Sequence, residues 1–205
     1  MKNIIAIQHT QSEQHINGMI GGNTDWPLTD LGKEQAHNIG KSIKSIMKTE
    51  KSIIYSSDLL RTKQTAEIIN EYLNLEIIYR QELREINMGE AKGKSKEWYN
   101  QNCKPKENIS LAYYKPFPTA ETFEELYNRT APILDEVLKS KYENIIIVGH
   151  GGALTMFLFQ WLRIPVESME HIAFEASSGG VSFLSLWENK RMLNKYNVTS
   201  YKDNK

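Results

Sequence analysis

Apolar residues along this chain follow two rhythms. Short runs occupy residues 3–7, 53–55, 75–79 and 145–148. Compact runs of that length suit strands buried on both faces of a parallel sheet. Between them the apolar positions recur every three or four residues, as on one face of a helix. Ile39, Ile43, Ile46 and Met47 form one such series, with Thr29 or Asp30 as its cap. Leu59, Ala66, Ile69 and Leu73 form a second, for which Ser56, Ser57 and Asp58 offer caps. Phe123, Leu126, Tyr127, Thr130, Ile133, Leu134 and Val137 form a third, which Pro132 is expected to bend or shorten. Leu154, Phe157, Leu158 and Trp161 form a fourth. Val181 to Trp187 and Arg191 to Val198 flank Glu188-Asn189-Lys190, the pattern of a hairpin.

Strands alternating with helices imply βαβ units. The expected fold is α/β: a three-layer α/β/α sandwich with a mostly parallel central sheet and a C-terminal hairpin. The 205 residues fit one domain, residues 1–205, without internal repeats. Residues 8–28 read as a polar, glycine-bearing loop. Residues 90–120 are less regular. They intersperse Lys92, Lys94, Lys96, Lys104, Lys106 and Lys115 with Trp98, Tyr99, Tyr113, Tyr114 and Phe117. A substrate-covering lid and a solvated loop both fit that composition.

Composition narrows the function. Lys plus Arg and Asp plus Glu are 25 each, so the formal net charge is zero. That argues against a protein built around nucleic acid or a membrane surface. The single cysteine, Cys103, allows no intramolecular disulfide. No apolar run approaches the ~20 residues of a membrane span, and the N-terminal run is too short for a signal-peptide core. A cytoplasmic protein is expected. The sequence carries no signature of a particular oligomeric state.

In parallel α/β sheets the ligand site lies beyond the carboxyl ends of the strands. His9 follows the first strand, Ser57 and Arg61 the second, and His150 a later one. Two histidines, an arginine in the first turn of a helix and nearby carboxylates suit phosphate chemistry. An oriented, deprotonated imidazole is a competent nucleophile toward phosphorus. The transferring group carries negative charge, which arginine and helix N-termini stabilise.

At these residues the chain resembles the histidine phosphatase superfamily, also called phosphoglycerate mutase-like. The stretches "QHTQSEQHINGMIGGNTDWPLTDLGKEQA", "IIYSSDLLRTKQTAEII", "ELREINMGEAKG", "TAETFEELYNR" and "IIIVGHGGALTMFL" run in the family's order. The resemblance implies a cofactor-independent phosphomonoester hydrolase acting on a small phosphorylated substrate, with no metal. It places His9 as the nucleophile that becomes phosphohistidine, and Arg61 on the phosphoryl oxygens. His150 would stabilise the same group, and Glu85 would be the acid that protonates the leaving oxygen. Glu82 and Glu90 are neighbours of Glu85. Glu121 stands at a position often occupied by Glu in the family.

Three positions depart from the family. It normally reads Arg-His-Gly where this chain has Gln8-His9-Thr10. Gln8 and Thr10 can still donate through an amide and a hydroxyl, and both are expected to contact substrate, as is Asn17. A hydrogen bond to a charged group contributes roughly 1.5–3 kcal/mol. Losing most of one slows a reaction by about one to two powers of ten, against enzymatic accelerations of ~10⁶ or more. That favours a weakened or re-tuned enzyme over an inert one. His15 stands where many members carry Asn; it, His37 and His171 read as loop or helix surface. The alternatives are a non-catalytic phospholigand-binding member, a phosphoglycerate mutase-type phosphotransferase and, third, a metal hydrolase. Sugar phosphates, glycolytic acids, nucleotide fragments and phosphoproteins are all open as substrates.

Overall fold

The computed structural model describes residues 1–203. A six-stranded sheet of order β3-β2-β4-β1-β5-β6 forms its centre. The strands are β1 (Lys2–Gln8), β2 (Ser52–Ser56), β3 (Ile77–Tyr79), β4 (Asn144–Gly149), β5 (Val181–Trp187) and β6 (Lys190–Val198). β1 to β4 pair in parallel, whereas β5 and β6 add the antiparallel hairpin at β1's free side. The helices are α1 (Asp30–Ile46), α2 (Leu60–Leu73), α3 (Lys96–Asn102), α4 (Phe123–Lys139) and α5 (Gly151–Trp161).

Side-chain alternation along the strands creates the layers. Ile5, Ile7, Ile54, Ile146 and Val148 pack on Ile39 and Ile43 of α1 and on Ala66, Ile69 and Leu73 of α2. Ile4, Ala6, Ile53, Tyr55, Ile145 and Ile147 point the other way, onto α4 and α5. The expected three-layer sandwich is therefore what forms. Among the described residues no helix is long and apolar enough to cross a membrane.

Several local expectations shift. Thr29 does cap α1, accepting the Gly32 amide at 3.0 Å. α2 begins one residue past its expected caps, at N-cap Leu59. The Leu60 amide is held instead by Asp25, 2.7 Å away, from the loop before α1. Its free N-terminal donors are thus met by a residue distant in sequence. β3 starts at Ile77 rather than 75, because Asn70 binds the Leu75 backbone N–H and C=O, while Asn74 takes a left-handed C-cap. Pro132 does not shorten α4, which runs on to Lys139 behind a Thr122/Glu125 capping box. In the hairpin, Lys190 pairs with Trp187 and so belongs to β6.

Candidate active site

β4 lies between β1 and β2, so His9, His150 and Ser57 leave three adjacent strand ends. The ladder extends past the strands, with the His9 amide on Gly149 O and the Ser57 amide on Val148 O, both at 3.0 Å. This pins the first residue after each strand.

His9 is 2% exposed. Its Nδ1 lies 2.8 Å from Thr10 O, an atom that can only accept, so Nδ1 carries the proton. Nε2 then presents its lone pair, and it accepts from Arg61 Nε at 3.1 Å. Both contacts select one tautomer. Burial, then the Arg61 charge, hold the His9 pKa well below its usual value of 6.5. The ring is neutral, with Nε2 aimed at a cation.

Arg61 sits in the first turn of α2 and is fully buried. Nη1 donates to Thr24 O at 2.6 Å and Nη2 to Gly22 O at 2.7 Å, so the loop before α1 clamps the guanidinium. Gly22 makes that clamp possible. Its φ is +47°, and a side-chain carbon there would sit 2.5 Å from Met88 Cγ. Burial brings the Arg61 pKa down to about 10, against the pull of Glu85 and Asp25, so it remains a cation at neutral pH.

His150 is the N-cap of α5 and is completely buried. Its ring meets His9 edge-on, with centroids 5.2 Å apart. Nε2 lies 3.0 Å from Ser57 Oγ, whereas Nδ1 has no protein partner. A buried ring nitrogen without a partner at this place is an open contact for a ligand oxygen. Burial, then Arg61 and His9, lower the His150 pKa well below 6.5.

Glu85 follows the 3₁₀ turn Gln81–Leu83. It accepts the Ile86 amide at 2.9 Å through Oε1 and the Gly152 amide at 3.1 Å through Oε2, against the N-terminus of α5. Arg129 holds the backbone beneath it by donating to Glu82 O and Arg84 O at 2.9 and 3.1 Å. Arg129 is fixed in turn by both oxygens of Glu121, at 2.7 and 2.9 Å. Glu121 thus holds Arg129 in place, and both line the cleft beside Glu85. Of the neighbouring acids, Glu90 is exposed and bonded to Thr119 Oγ1 at 2.6 Å.

Two clefts are lined by these residues and their neighbours. A polar cleft of about 630 Å³ is lined by Asn23, Arg84, Glu85, Asn87 and Arg129, among others. A more apolar one of about 310 Å³ lies over Gly151 and Gly152, walled by Phe123, Met169, Ile172 and Phe174. The aromatics expected in a lid turn mostly inward: Trp98 and Tyr99 pack on Phe117 with Ala91 and Ala120. The Lys96 amide donates to Gly18 O at 2.9 Å, which fastens that segment to the loop.

The remaining candidates are placed differently. Thr10 is fully buried with its hydroxyl 3.3 Å from Thr65 Oγ1. Asn17 lies on the exposed loop, accepting the Met19 amide at 2.9 Å. Gln8 runs alongside Gly151, with its Oε1 buried and unpartnered. It shares a cavity of about 20 Å³ with Tyr196, whose hydroxyl is also buried and unpartnered. His37 pairs with Tyr72 on the surface of α1. His15 is exposed on the loop as expected, but its ring also stacks on His9 at 5.3 Å with 25° between planes. The signal was the family position it occupies, usually Asn. Among the described residues, no three His, Cys, Asp or Glu side chains gather as metal ligands.

The sheet of this three-layer sandwich presents two buried imidazoles and a buried arginine beyond adjacent strand ends, an arrangement suited to holding a phosphoryl group. The chain belongs to the histidine phosphatase superfamily (branch 1), whose family description matches residues 4–199. It is 30% identical over 203 residues to the "Uncharacterized phosphatase PhoE" of Bacillus subtilis (strain 168), covering 98% of this chain and 97% of that one. It is 32% identical over 168 residues to the "Probable phosphoglycerate mutase GpmB" of Proteus mirabilis (strain HI4320), covering 80% and 77%. Bacillus stearothermophilus YhfR shares the fold with a TM-score of 0.83 at 19% identity, over 98% of this chain and 100% of that one. These relatives place the chain among the phosphoryl-transfer enzymes of that superfamily.

Proposed function

We propose that this chain hydrolyses small phosphate monoesters through a phosphohistidine on Nε2 of His9. The observation that carries the reading is the His9 tautomer: Nδ1–H is bound to Thr10 O, and Nε2 is free of hydrogen beside Arg61. In the first step the Nε2 lone pair attacks phosphorus and the ester P–O bond breaks. The departing alkoxide takes a proton from Glu85. In the second, water attacks phosphorus, Glu85 takes its proton and the P–N bond breaks. Phosphate leaves and His9 returns neutral. Arg61, unpartnered Nδ1 of His150 and the α5 N-terminus meet the charge on the phosphoryl oxygens. Gln8 is read as a neutral substitute for the family's arginine.

Hydrolysis is favoured over mutase chemistry by the extent of the match to a phosphatase-named relative, which covers nearly the whole of both chains. A cytoplasmic location accompanies the reading, in keeping with the lone unpaired Cys103. The test is a panel of phosphorylated metabolites assayed with and without chelator, with His9→Ala as control. Turnover that survives chelation, vanishes in His9→Ala and leaves acid-labile phosphate on the wild type is the expected result. A His9→Ala protein that keeps most of its activity overturns the mechanism.

A further inference from the structure

Side chains two apart on a strand share a face, so Ala6 and Gln8 point from β1 to the same side. There they meet Leu154, Thr155 and Leu158 of α5 around a small cavity of about 20 Å³, which Ser182 and Tyr196 close from the hairpin. Gln8 Oε1 and the Tyr196 hydroxyl are both buried without a protein partner. Gln8 as a whole is half-buried, so the enclosed end of its amide is the oxygen. Two orphaned polar atoms beside one cavity call for a common explanation.

A β-bulge brings Tyr196 to this place. Val181 pairs with Val198 and Phe183 with Lys195, so Tyr196 and Asn197 of β6 together face the single Ser182 of β5. An extra residue of this kind re-aims a side chain. Asn197 holds the bulge. Its φ is +47°, its amide donates to Ser182 Oγ at 3.0 Å, and its Oδ1 accepts the Ser177 amide at 3.0 Å. Ser182 pairs in turn with Ala6 of β1, two residues before Gln8 along the same face. Burial, then Glu175, push the Tyr196 pKa up to about 12, so its hydroxyl keeps a proton to donate.

A polar cavity of ~10–15 Å³ is large enough for one water, and buried waters bond about three protein groups. Tyr196 O–H can donate to a water here and Gln8 Oε1 can accept from it. The Ser182 Oγ accepts the Asn197 amide and has its own hydrogen to spare. We propose that one internal water joins the Tyr196 hydroxyl to Gln8 Oε1, and that Tyr196 is thereby a positioning residue that fixes the Gln8 amide with its oxygen inward and its nitrogen toward the N-terminus of α5. It rests on the reading of the neighbouring pocket as a phosphoryl site, where an amide so fixed offers N–H rather than a lone pair to an anion. Without the bridge the amide is free to turn over and present either end.

Two measurements test this. A high-resolution crystal structure of the free protein is expected to show one ordered water within hydrogen-bond distance of both Tyr196 Oη and Gln8 Oε1. Equilibrium vanadate binding, which needs no turnover, is then compared in the wild type, Tyr196→Phe, Gln8→Ala and the double variant. Tyr196→Phe keeps the ring that packs on Phe174, with centroids 5.4 Å apart, and removes only the hydroxyl. Losing one neutral hydrogen bond corresponds to about two- to tenfold in affinity. Tyr196→Phe is expected to weaken vanadate by that factor where Gln8 is present and to change nothing in the Gln8→Ala protein. A side chain that only steadies the hairpin would cost the same on both backgrounds. No ordered water, a direct contact between Tyr196 and Gln8, or equal losses on the two backgrounds overturns the proposal. The water in place with no vanadate bound by any of the four proteins refutes the phosphoryl-site reading instead and leaves the bridge standing.

Discussion

Gln8→Arg is the most informative single change, because it restores the family's charged residue beside His9. Gln8 Oε1 is buried without a partner, about 3.5 Å from where a side-chain carbon on Gly151 would project. A guanidinium at 8 reaches farther than the amide along that path, past the α5 N-terminus. One charged hydrogen bond to a phosphoryl oxygen contributes roughly 1.5–3 kcal/mol. That is about one to two powers of ten in affinity or rate. The empty pocket pays in the other direction. A second cation near Arg61 adds repulsion, on the order of a few kcal/mol for two charges within several ångströms at an effective dielectric of ~20. The variant is therefore expected to be less stable alone, to gain more stability from added phosphate, and to be inhibited by vanadate at ten- to hundredfold lower concentration (about). Urea unfolding with and without phosphate, and kinetics beside the wild type, measure all three. A folded variant with no gain in anion affinity or turnover means that Gln8 does not face the phosphoryl group, or that the pocket serves another ligand.

Glu85→Gln should slow alkyl phosphates by about 10²–10⁴ and p-nitrophenyl phosphate far less, since general acid catalysis matters most for poor leaving groups; an equal loss on both points to another acid. Gly152→Ala would put a carbon 2.4 Å from Glu85 Oε1, the end of a movable side chain, so thermal stability should hold while kcat falls about tenfold or more; unchanged kcat would remove Glu85 from the chemistry. His9 and His150 are buried with folded-state pKa values well below the unfolded 6.5, so the unfolded chain takes up protons the folded one refuses. Stability is then full above about pH 7.5 and falls as pH drops, by up to ~1.4 kcal/mol per unit per histidine, before carboxylates such as Asp58 and Glu136 contribute at lower pH. Urea midpoints that stay flat from about pH 7.5 to about pH 5 would mean the rings are charged in the folded state.

The strands and principal helices were legible because burial on two faces leaves an unambiguous signature: Ile4 to Ile7 and Ile145 to Val148 are apolar on every residue. That His9, Arg61 and His150 converge followed from their places just after strands. What stayed hidden is contact between segments remote in sequence. Nothing local marks Asp25 as the cap of α2, or Arg129 as the clamp beneath Glu85. His15 reads as surface because it is exposed, yet the turn that holds it faces inward over His9. Pro132 misled in the opposite sense, since a breaker in one helix is tolerated when both flanking turns are packed.

β1 carries the proposed nucleophile at its tip, and it is made before the other five strands of the sheet. Both of its sheet neighbours are made much later: β4 begins about 140 residues after β1 ends, and β5 later still. At synthesis rates of roughly 5–20 residues per second, an apolar strand waits about 7–30 s for its first partner. Nascent chains held on the ribosome short of β4 should therefore present β1 to hydrophobic-segment-binding chaperones, and the imidazole at its end should acquire its tautomer and its depressed pKa in a late step, when Thr10, Arg61 and the β4 end close around it together.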